Sequence, residues 1–192
     1  MQLQHANVKL LVKNPAEVDL DPLIPLFHSW IQGQVLEELL LDVADYRHVQ
    51  AGPGVVLIGH QANYSVDNAD ERLGVRYNRK AELNGSNHDR LRQAMRATLT
   101  ACERLEAEPS LGGKLRFNGQ EIEFFVNDRL LAPNRDATRE AFHSDFEAFF
   151  EKLFRGSKYS LSYASDPRRL FGVSVKSSRI FPTAELLANL EA

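Results

Sequence analysis

The chain has 192 residues, of which 43% are hydrophobic and 26% charged, with a formal net charge of −3. A chain of this size and apolar content can bury about 70% of its unfolded surface, which excludes an intrinsically disordered protein. Cys102 is the only cysteine, so no intrachain disulfide forms. No apolar run approaches the ~20 residues that span a bilayer, and residues 1–13 lack the apolar segment of a secretory leader. We therefore expect one cytoplasmic domain over residues 1–192 without membrane contact.

Charge is distributed unevenly along the chain. Residues 1–71 carry ten acidic and three basic side chains, whereas residues 72–104 carry eight basic and three acidic ones. The basic segment could meet an anionic ligand or partner, although such a segment more often pairs with the protein's own acidic residues. Nucleic acid is not expected, because its binding depends on broad phosphate neutralisation and the whole chain is acidic.

The first elements are a strand and a helix. Residues 8–13 alternate as a strand, and Asp21-Pro22 provides an N-cap and a proline for the start of a helix. The helix then has apolar residues at helical spacing, namely Leu23, Phe27, Trp30 and Ile31. Residues 35–49 suit both a helix and a strand, and we expect a short helical start that passes into a strand.

A first hairpin is expected next. Gly52-Pro53-Gly54 marks a turn, and residues 55–60 form a strand that is apolar on both faces. This strand becomes polar and continues to a loop at residues 67–70, after which residues 73–80 return as the second strand.

The remaining chain repeats hairpins and helices. Ser86 and Asp89 resemble a capping box that begins a long helix, and Asn118-Gly119 predicts a hairpin between residues 114–117 and 121–126. A Phe-rich helix follows, and residues 159–163 and 171–176 form a third hairpin before a short terminal helix. The predicted fold is α+β, with a largely antiparallel sheet of about 7–8 strands, 3–4 helices mainly on one face, and hairpin-helix units in series.

The most promising place for chemistry is the polar continuation of the 55–60 strand. His60 could act as a general acid or base with Asp42 or Asp67, and Tyr64 shares its predicted face. The alternative is a histidine hydrogen-bonded within the sheet. The cluster Asp42, Asp45 and His48 matches no established ligand spacing, so we predict neither a metal nor a cofactor.

A second set of residues predicts ligand contacts. Gln61 and Asn63 lie on the polar strand end, and Tyr77, Arg79 and Arg92 belong to the basic segment. Arginine suits carboxylate or phosphate.

Known catalytic and nucleotide-binding motifs are absent from the sequence, including G-x-G-x-x-G, the P-loop, H-E-x-x-H and G-x-S-x-G. The leading hypothesis is a binding or regulatory module for a small anionic ligand or a protein partner. One alternative is an enzyme that uses His60. The other is a homo-oligomeric protein, for example a homodimer, that associates through its Phe-rich helix or a sheet edge. The sequence does not decide between an enzyme and a binding protein.

Overall fold

The computed structural model describes residues 1–191, which form eight strands and four helices. The strands are β1 (Ala6–Val12), β2 (Leu40–Tyr46), β3 (Gly54–Gly59), β4 (Ala62–Asp67), β5 (Gly74–Arg79), β6 (Phe117–Val126), β7 (Tyr159–Tyr163) and β8 (Gly172–Ser177). The helices are α1 (Leu23–Gly33), α2 (Asn87–Ala107), α3 (Asp136–Leu153) and α4 (Thr183–Glu191). All eight strands form one antiparallel sheet in the order β2-β3-β4-β5-β1-β6-β8-β7. The predicted α+β fold is confirmed.

The core lies between the sheet and the helices. Helix α2 contacts β1 and β5, α1 contacts β2 and β3, and α4 contacts β6. A row of directly paired residues from five neighbouring strands faces these helices, and each is at most 3% exposed: Tyr64, Tyr77, Val8, Phe124 and Val173. Burial of such side chains contributes roughly 1.5–3 kcal/mol each, so this face supplies the main driving force for folding.

Local signals correctly located two helices. The Ser86 hydroxyl accepts from the Asp89 N–H, and the Asp89 carboxylate accepts from the Ser86 N–H, which completes the capping box of α2. All four phenylalanines of α3 are buried, namely Phe142, Phe146, Phe149 and Phe150. The prediction that they could form an exposed dimer face is therefore wrong. Cys102 is also buried, and burial raises the pKa of its thiol.

The predicted helical start of the 35–49 segment is wrong. Helix α1 ends at Gly33, and its C-cap residue Gln34 has a left-handed φ of 43°. The Gln34 side chain accepts from the Leu40 N–H at 3.1 Å and donates to the Leu40 carbonyl at 3.0 Å. Because this side chain satisfies both backbone groups of Leu40, residues 35–39 cross to the sheet edge without a helical turn.

The predicted first hairpin is a three-stranded meander. His60 and Gln61 form a two-residue turn between β3 and β4, where a continuous strand was predicted. A Cβ at Gly59 would lie only 2.5 Å from the Ala62 carbonyl oxygen, so the turn requires a residue without a side chain at this position. Ala62 and Tyr64 do share one face, as predicted, but His60 lies outside the strand.

The predicted second hairpin is also wrong, because Asn118 and Gly119 lie within the single strand β6. Gly119 lacks the positive φ that an Asn-Gly hairpin turn requires. A Cβ at this position would collide with the Phe181 carbonyl oxygen. The glycine therefore allows the segment before α4 to pack directly against β6. This tertiary contact outweighs the local preference of Asn-Gly for a turn.

Candidate functional site

The sheet face opposite the helices is polar. One row of paired residues crosses six neighbouring strands and consists of Ser65, Arg76, Lys9, Glu123, Ser174 and Ser162. The adjacent row consists of Asn63, Asn78, Asn7 and Phe125. We call these two rows, together with Asp67 at the end of β4, the polar face. The helices pack against the other side of the sheet.

A buried ion pair joins Lys9 and Asp67 on the polar face. The Lys9 Nζ lies 2.6 Å from the Asp67 Oδ1, and both side chains are only 3% exposed. The Lys9 side chain crosses β5 above Gly74, where a Cβ would lie 3.1 Å from its Cγ and Cε. Asp67 also accepts from the Ala69 N–H at 3.0 Å. The pair therefore links β1 to the start of the β4–β5 connection.

A cavity of about 570 Å³ opens on the polar face. Lys9, Arg76 and Glu123 contribute to its lining, together with residues of the β4–β5 and β7–β8 connections. Cavities that hold small molecules have volumes of roughly 300–1,000 Å³. Its volume and the charged residues in its lining make this cavity the candidate functional site.

Basic side chains outnumber acidic ones in the lining. The basic residues are Lys9, Arg72, Arg76, Arg129, Arg168 and Arg169, and the acidic residues are Asp67, Asp70 and Glu123. Two acids outside the lining, Glu121 and Asp166, pair with Arg72 and Arg168. When these two acids are counted, the cavity and its ion-pair partners carry one net positive charge, which favours the binding of an anion.

Arg76 has the clearest unused hydrogen-bonding capacity in the cavity. Its Nη1 lies 3.7 Å from the Asp67 Oδ2, whereas Lys9 already holds Asp67 at 2.6 Å. The Arg76 Nε is buried and has no hydrogen-bond partner among the described residues. Its guanidinium carbon lies 5.4 Å from the centroid of the Phe125 ring, within cation–π range.

The rim of the cavity contains strained backbone. Asp70 and Glu71 both have a φ of 58°, a left-handed conformation that is uncommon for residues other than glycine. Such residues cost of order 1–3 kcal/mol each and persist only where surrounding contacts hold them. Here Asp70 pairs with Arg169 of the β7–β8 connection. This contact joins the two connections at the cavity rim.

The asparagine row contains further unused polar atoms. Asn7 is fully buried, and neither its amide nitrogen nor its amide oxygen has a hydrogen-bond partner within residues 1–191. The Oδ1 atoms of Asn63 and Asn78 are also buried and unpartnered there. Each such group costs stability. A water or a ligand that reached these atoms would remove this cost.

A second polar cluster lies among the helices. The Tyr77 hydroxyl donates to Glu38 Oε1 at 3.0 Å and accepts from Gln93 Nε2 at 2.9 Å, and Arg79 lies 3.3 Å from Glu38. Burial raises the pKa of Tyr77 to about 12. The neighbouring cavity measures only about 30 Å³, room for about one water. This cluster attaches the 35–39 segment to the sheet and leaves no room for a larger ligand.

The basic segment pairs in part with the acidic one, as expected. Arg79 pairs with Glu38, and Arg96 lies 3.3 Å from Glu37. Both ion pairs join residues 72–104 to residues 1–71. The segment is thus not a free basic surface along its whole length.

The predicted catalytic residues do not form one cluster, although the pairing of β2 with β3 places Asp42 opposite Ile58, two residues before His60. His60 is exposed in the β3–β4 turn, and Asp67 lies at the far end of β4, about 16 Å away at a rise of ~3.3 Å per residue. Asp42 is exposed on β2, where its carboxylate accepts from the Val43 N–H. Tyr64 is buried on the helix side of the sheet. The structure therefore does not bring His60 and Asp67 into one site.

The predicted ligand contacts also divide between places. Tyr77 and Arg79 belong to the buried cluster, and Gln61 lies in the turn, with its Oε1 3.4 Å from Arg79. Arg92 lies on α2, 3.7 Å from Glu191. Of the nine predicted site residues, only Asp67 lines the cavity, and Asn63 lies elsewhere on the polar face.

Sequence reasoning missed Lys9, Arg76 and Glu123. Each lies between two apolar residues of a strand, in the sequences Val-Lys-Leu, Val-Arg-Tyr and Ile-Glu-Phe. A charged residue at this position faces away from the core. If the three strands are neighbours in the sheet, three such residues predict a charged face on the side away from the core.

Comparisons with known proteins assign no family to the chain. No protein-family model matches it, and no curated protein is significantly similar to it. Within residues 1–191, no group of three histidine, cysteine, aspartate or glutamate side chains is placed to hold a metal ion. None of the helices in the same range has the length and apolar character needed to cross a membrane. Function must therefore be inferred from the cavity itself.

Proposed function

We propose that the protein binds a small anionic ligand in the cavity on the polar face. The observation that carries this proposal is Arg76, which lines the cavity with a buried Nε that has no hydrogen-bond partner among the described residues. An unpartnered buried donor costs roughly 1–3 kcal/mol. A carboxylate or phosphate oxygen would accept from it and would match the planar fork of the guanidinium.

The cavity also suits an apolar portion of the ligand. Phe125 and Leu170 belong to the lining. The Phe125 ring packs against Gly172, where a Cβ would lie 2.9 Å from the ring Cδ1. The centroid of this ring lies 5.4 Å from the guanidinium carbon of Arg76. We therefore expect an anion that carries a flat apolar group to bind more tightly than an anion alone, since stacking and burial add to the ion pair.

Binding is favoured over acid–base catalysis at this site. The described lining contains no histidine or cysteine, and its three carboxylates each have a cationic partner: Asp67 with Lys9, Asp70 with Arg169 and Glu123 with Arg72. A general acid or base needs a group that exchanges a proton near the working pH. Paired carboxylates serve better to position the arginines.

NMR titration tests this proposal. Acetate, inorganic phosphate and benzoate would be added to isotopically labelled protein, with sodium chloride at matched ionic strength as the reference. We expect saturable shifts of the amides of Phe125 and Leu170 and of their neighbours in the lining, with benzoate binding more tightly than acetate. Arg76→Gln should weaken benzoate binding about tenfold or more, the value expected for a lost charged hydrogen bond.

Arg104→Gln is the matched control, because it removes one positive charge from an exposed position of α2 outside the cavity. Binding should remain within about twofold of the parent protein, since distant surface charges are screened. The proposal fails if none of the three probes gives a saturable shift beyond chloride. It also fails if Arg104→Gln weakens binding as much as Arg76→Gln does.

A further inference from the structure

An ion pair at the cavity joins two connections that are not neighbours in the sheet. Asp70 lies in the β4–β5 connection and Arg169 in the β7–β8 connection, and their side chains are in contact. In the order of the strands, β1 and β6 lie between β5 and β8. We call this ion pair the strap.

The two connections begin at distant places on the sheet. Strand β5 begins at Gly74, opposite Leu11 of β1. Strand β8 begins at Gly172, opposite Phe125, which in turn pairs with Asn7 of β1. These starting points differ by about 13 Å along the strands and by about 14 Å across three strand spacings. Both connections must therefore extend over the sheet for their side chains to meet.

The strap crosses the polar face of the sheet. Lys9 of β1 and Glu123 of β6 are directly paired on this face, and they belong to the two strands that separate the connections. Both residues line the same cavity as Asp70 and Arg169. Lys9 and Glu123 therefore contribute to the floor of the cavity, and the strap spans its mouth.

The connections are fixed at their bases, whereas the strap itself is weakly held. The Lys9 Nζ donates to the Ala69 carbonyl at 3.3 Å, and the Asn134 side chain donates to the Asp166 carbonyl at 2.8 Å. Both side chains of the strap are more than half exposed. Because exposed ion pairs contribute little to stability, the strap can open while the bases stay in place.

We propose, on the basis of the anion-binding function above, that the strap closes the cavity and that the ligand opens it by taking Arg169 from Asp70. Asp70 is then an internal competitor of the ligand. Arg169 becomes a second residue that binds the anionic group, in addition to Arg76. Exchange of one anion for another keeps the guanidinium paired in both states. Opening also lets the left-handed backbone of Asp70 and Glu71 relax.

NMR titration of benzoate into the Asp70→Asn variant tests the competition. Asparagine has nearly the same shape as aspartate and tolerates a left-handed backbone, but it cannot form the ion pair. The dissociation constant of benzoate should fall about threefold, as expected for loss of an exposed ion pair that competes with binding.

Glu71→Gln is the matched control for this variant. Glu71 has the same charge and the same φ of 58° in the same connection and is exposed, whereas the ion pair with Arg169 belongs to Asp70. Its substitution should change the dissociation constant by less than about 1.5-fold, because the charge of an exposed side chain is screened.

The Arg169→Gln background shows whether the competition acts through Arg169. This variant should itself bind benzoate about threefold more weakly or worse. In the double variant, Asp70→Asn should no longer tighten binding, because the residue for which it competes is gone. A gain that persists without Arg169 would overturn the proposal. An unchanged constant in Asp70→Asn, or an equal gain in Glu71→Gln, would do the same.

NMR relaxation of the ligand-free protein tests the strap separately from the anion-binding function. Asp70→Asn should increase the ps–ns motion of the backbone amides of residues 168–170, whereas Glu71→Gln should not. Unchanged relaxation in Asp70→Asn would overturn the closed strap. Failure of every anion to bind the parent protein would instead refute the anion-binding function and, with it, opening by a ligand. The closed strap would still be judged by relaxation.

Discussion

The two faces of the sheet are built from the same strands but by opposite physical means. On the helix side, Tyr77, Val8 and Phe124 are buried against α2 and α3 and gain stability from removal of apolar surface. On the other side, Arg76, Lys9 and Glu123 stand at the alternate positions of the same strands. There, buried charge is tolerated only because it is paired. One face holds the fold, and the other presents a cavity lined by charged groups.

Neighbouring phenylalanines test this contrast most strongly. Phe124 faces the helices and packs against Phe146 at 5.2 Å, whereas Phe125 faces the polar side. Phe124→Ala should lower the free energy of unfolding by about 4 kcal/mol through lost burial and a residual cavity. Phe125→Ala should cost less than half of this, because its ring is only partly buried. Urea unfolding of both variants measures the difference, and equal losses would show that the two faces contribute alike.

Removal of a single charge from the buried pair should have the next largest effect. Lys9→Met leaves Asp67 without its closest partner and should cost about 3 kcal/mol. In the double variant Lys9→Met/Asp67→Asn the uncompensated charge is gone, so more than half of this loss should be recovered. A double-mutant cycle by chemical unfolding provides the measurement. Additive losses would mean that the pair is not coupled.

The buried hydroxyl of Tyr77 tests the helix side of the sheet at high pH. Burial raises the pKa of Tyr77 to about 12, so the folded state keeps its proton where an unfolded tyrosine, with a pKa near 10, has lost it. Stability from this group is complete below pH 10 and falls as the pH rises from about 10 to about 12. Tyr77→Phe should make that fall about 2 kcal/mol smaller. An unchanged pH profile of the unfolding free energy in this variant would contradict the assignment.

The smallest effect is expected at Arg168, on the β7–β8 connection beside the cavity. Its side chain is exposed and pairs with Asp166 at 3.0 Å, and ion pairs at the surface contribute little to stability. Arg168→Gln should leave the urea midpoint unchanged within the uncertainty of the measurement. A clear loss of stability would show that the connection supports the fold as well as the cavity.

Much of the fold follows from local signals in the sequence. The Ser86–Asp89 capping box, the phenylalanine stripe of α3 and the β7–β8 hairpin are all local patterns, and all three occur where predicted. The signal at Asn118-Gly119 failed for a physical reason: a distant segment, at Phe181, needs the space that Gly119 leaves. Packing between remote residues there outweighs the preference of a dipeptide.

The site was much less predictable than the fold. His60 was chosen because an apolar strand becomes polar there, but that change marks a turn between β3 and β4. Arg76 and Lys9 had a weaker local signal, one charged residue between two apolar neighbours. Their importance depends on strand order, because β5 and β1 are adjacent in space although more than sixty residues separate them along the chain.

The sequence by itself determined that alternating strands would have an apolar and a polar side, and that capped amphipathic helices would cover the apolar one. Local periodicity and capping are properties of short segments, so they can be recognised without the fold. Only the tertiary structure decided which charged residues would meet. Lys9 and Asp67 are 58 positions apart, and Asp70 and Arg169 are 99 apart. Such contacts result from the sheet order, which depends on the packing of the whole chain and is encoded in no single segment.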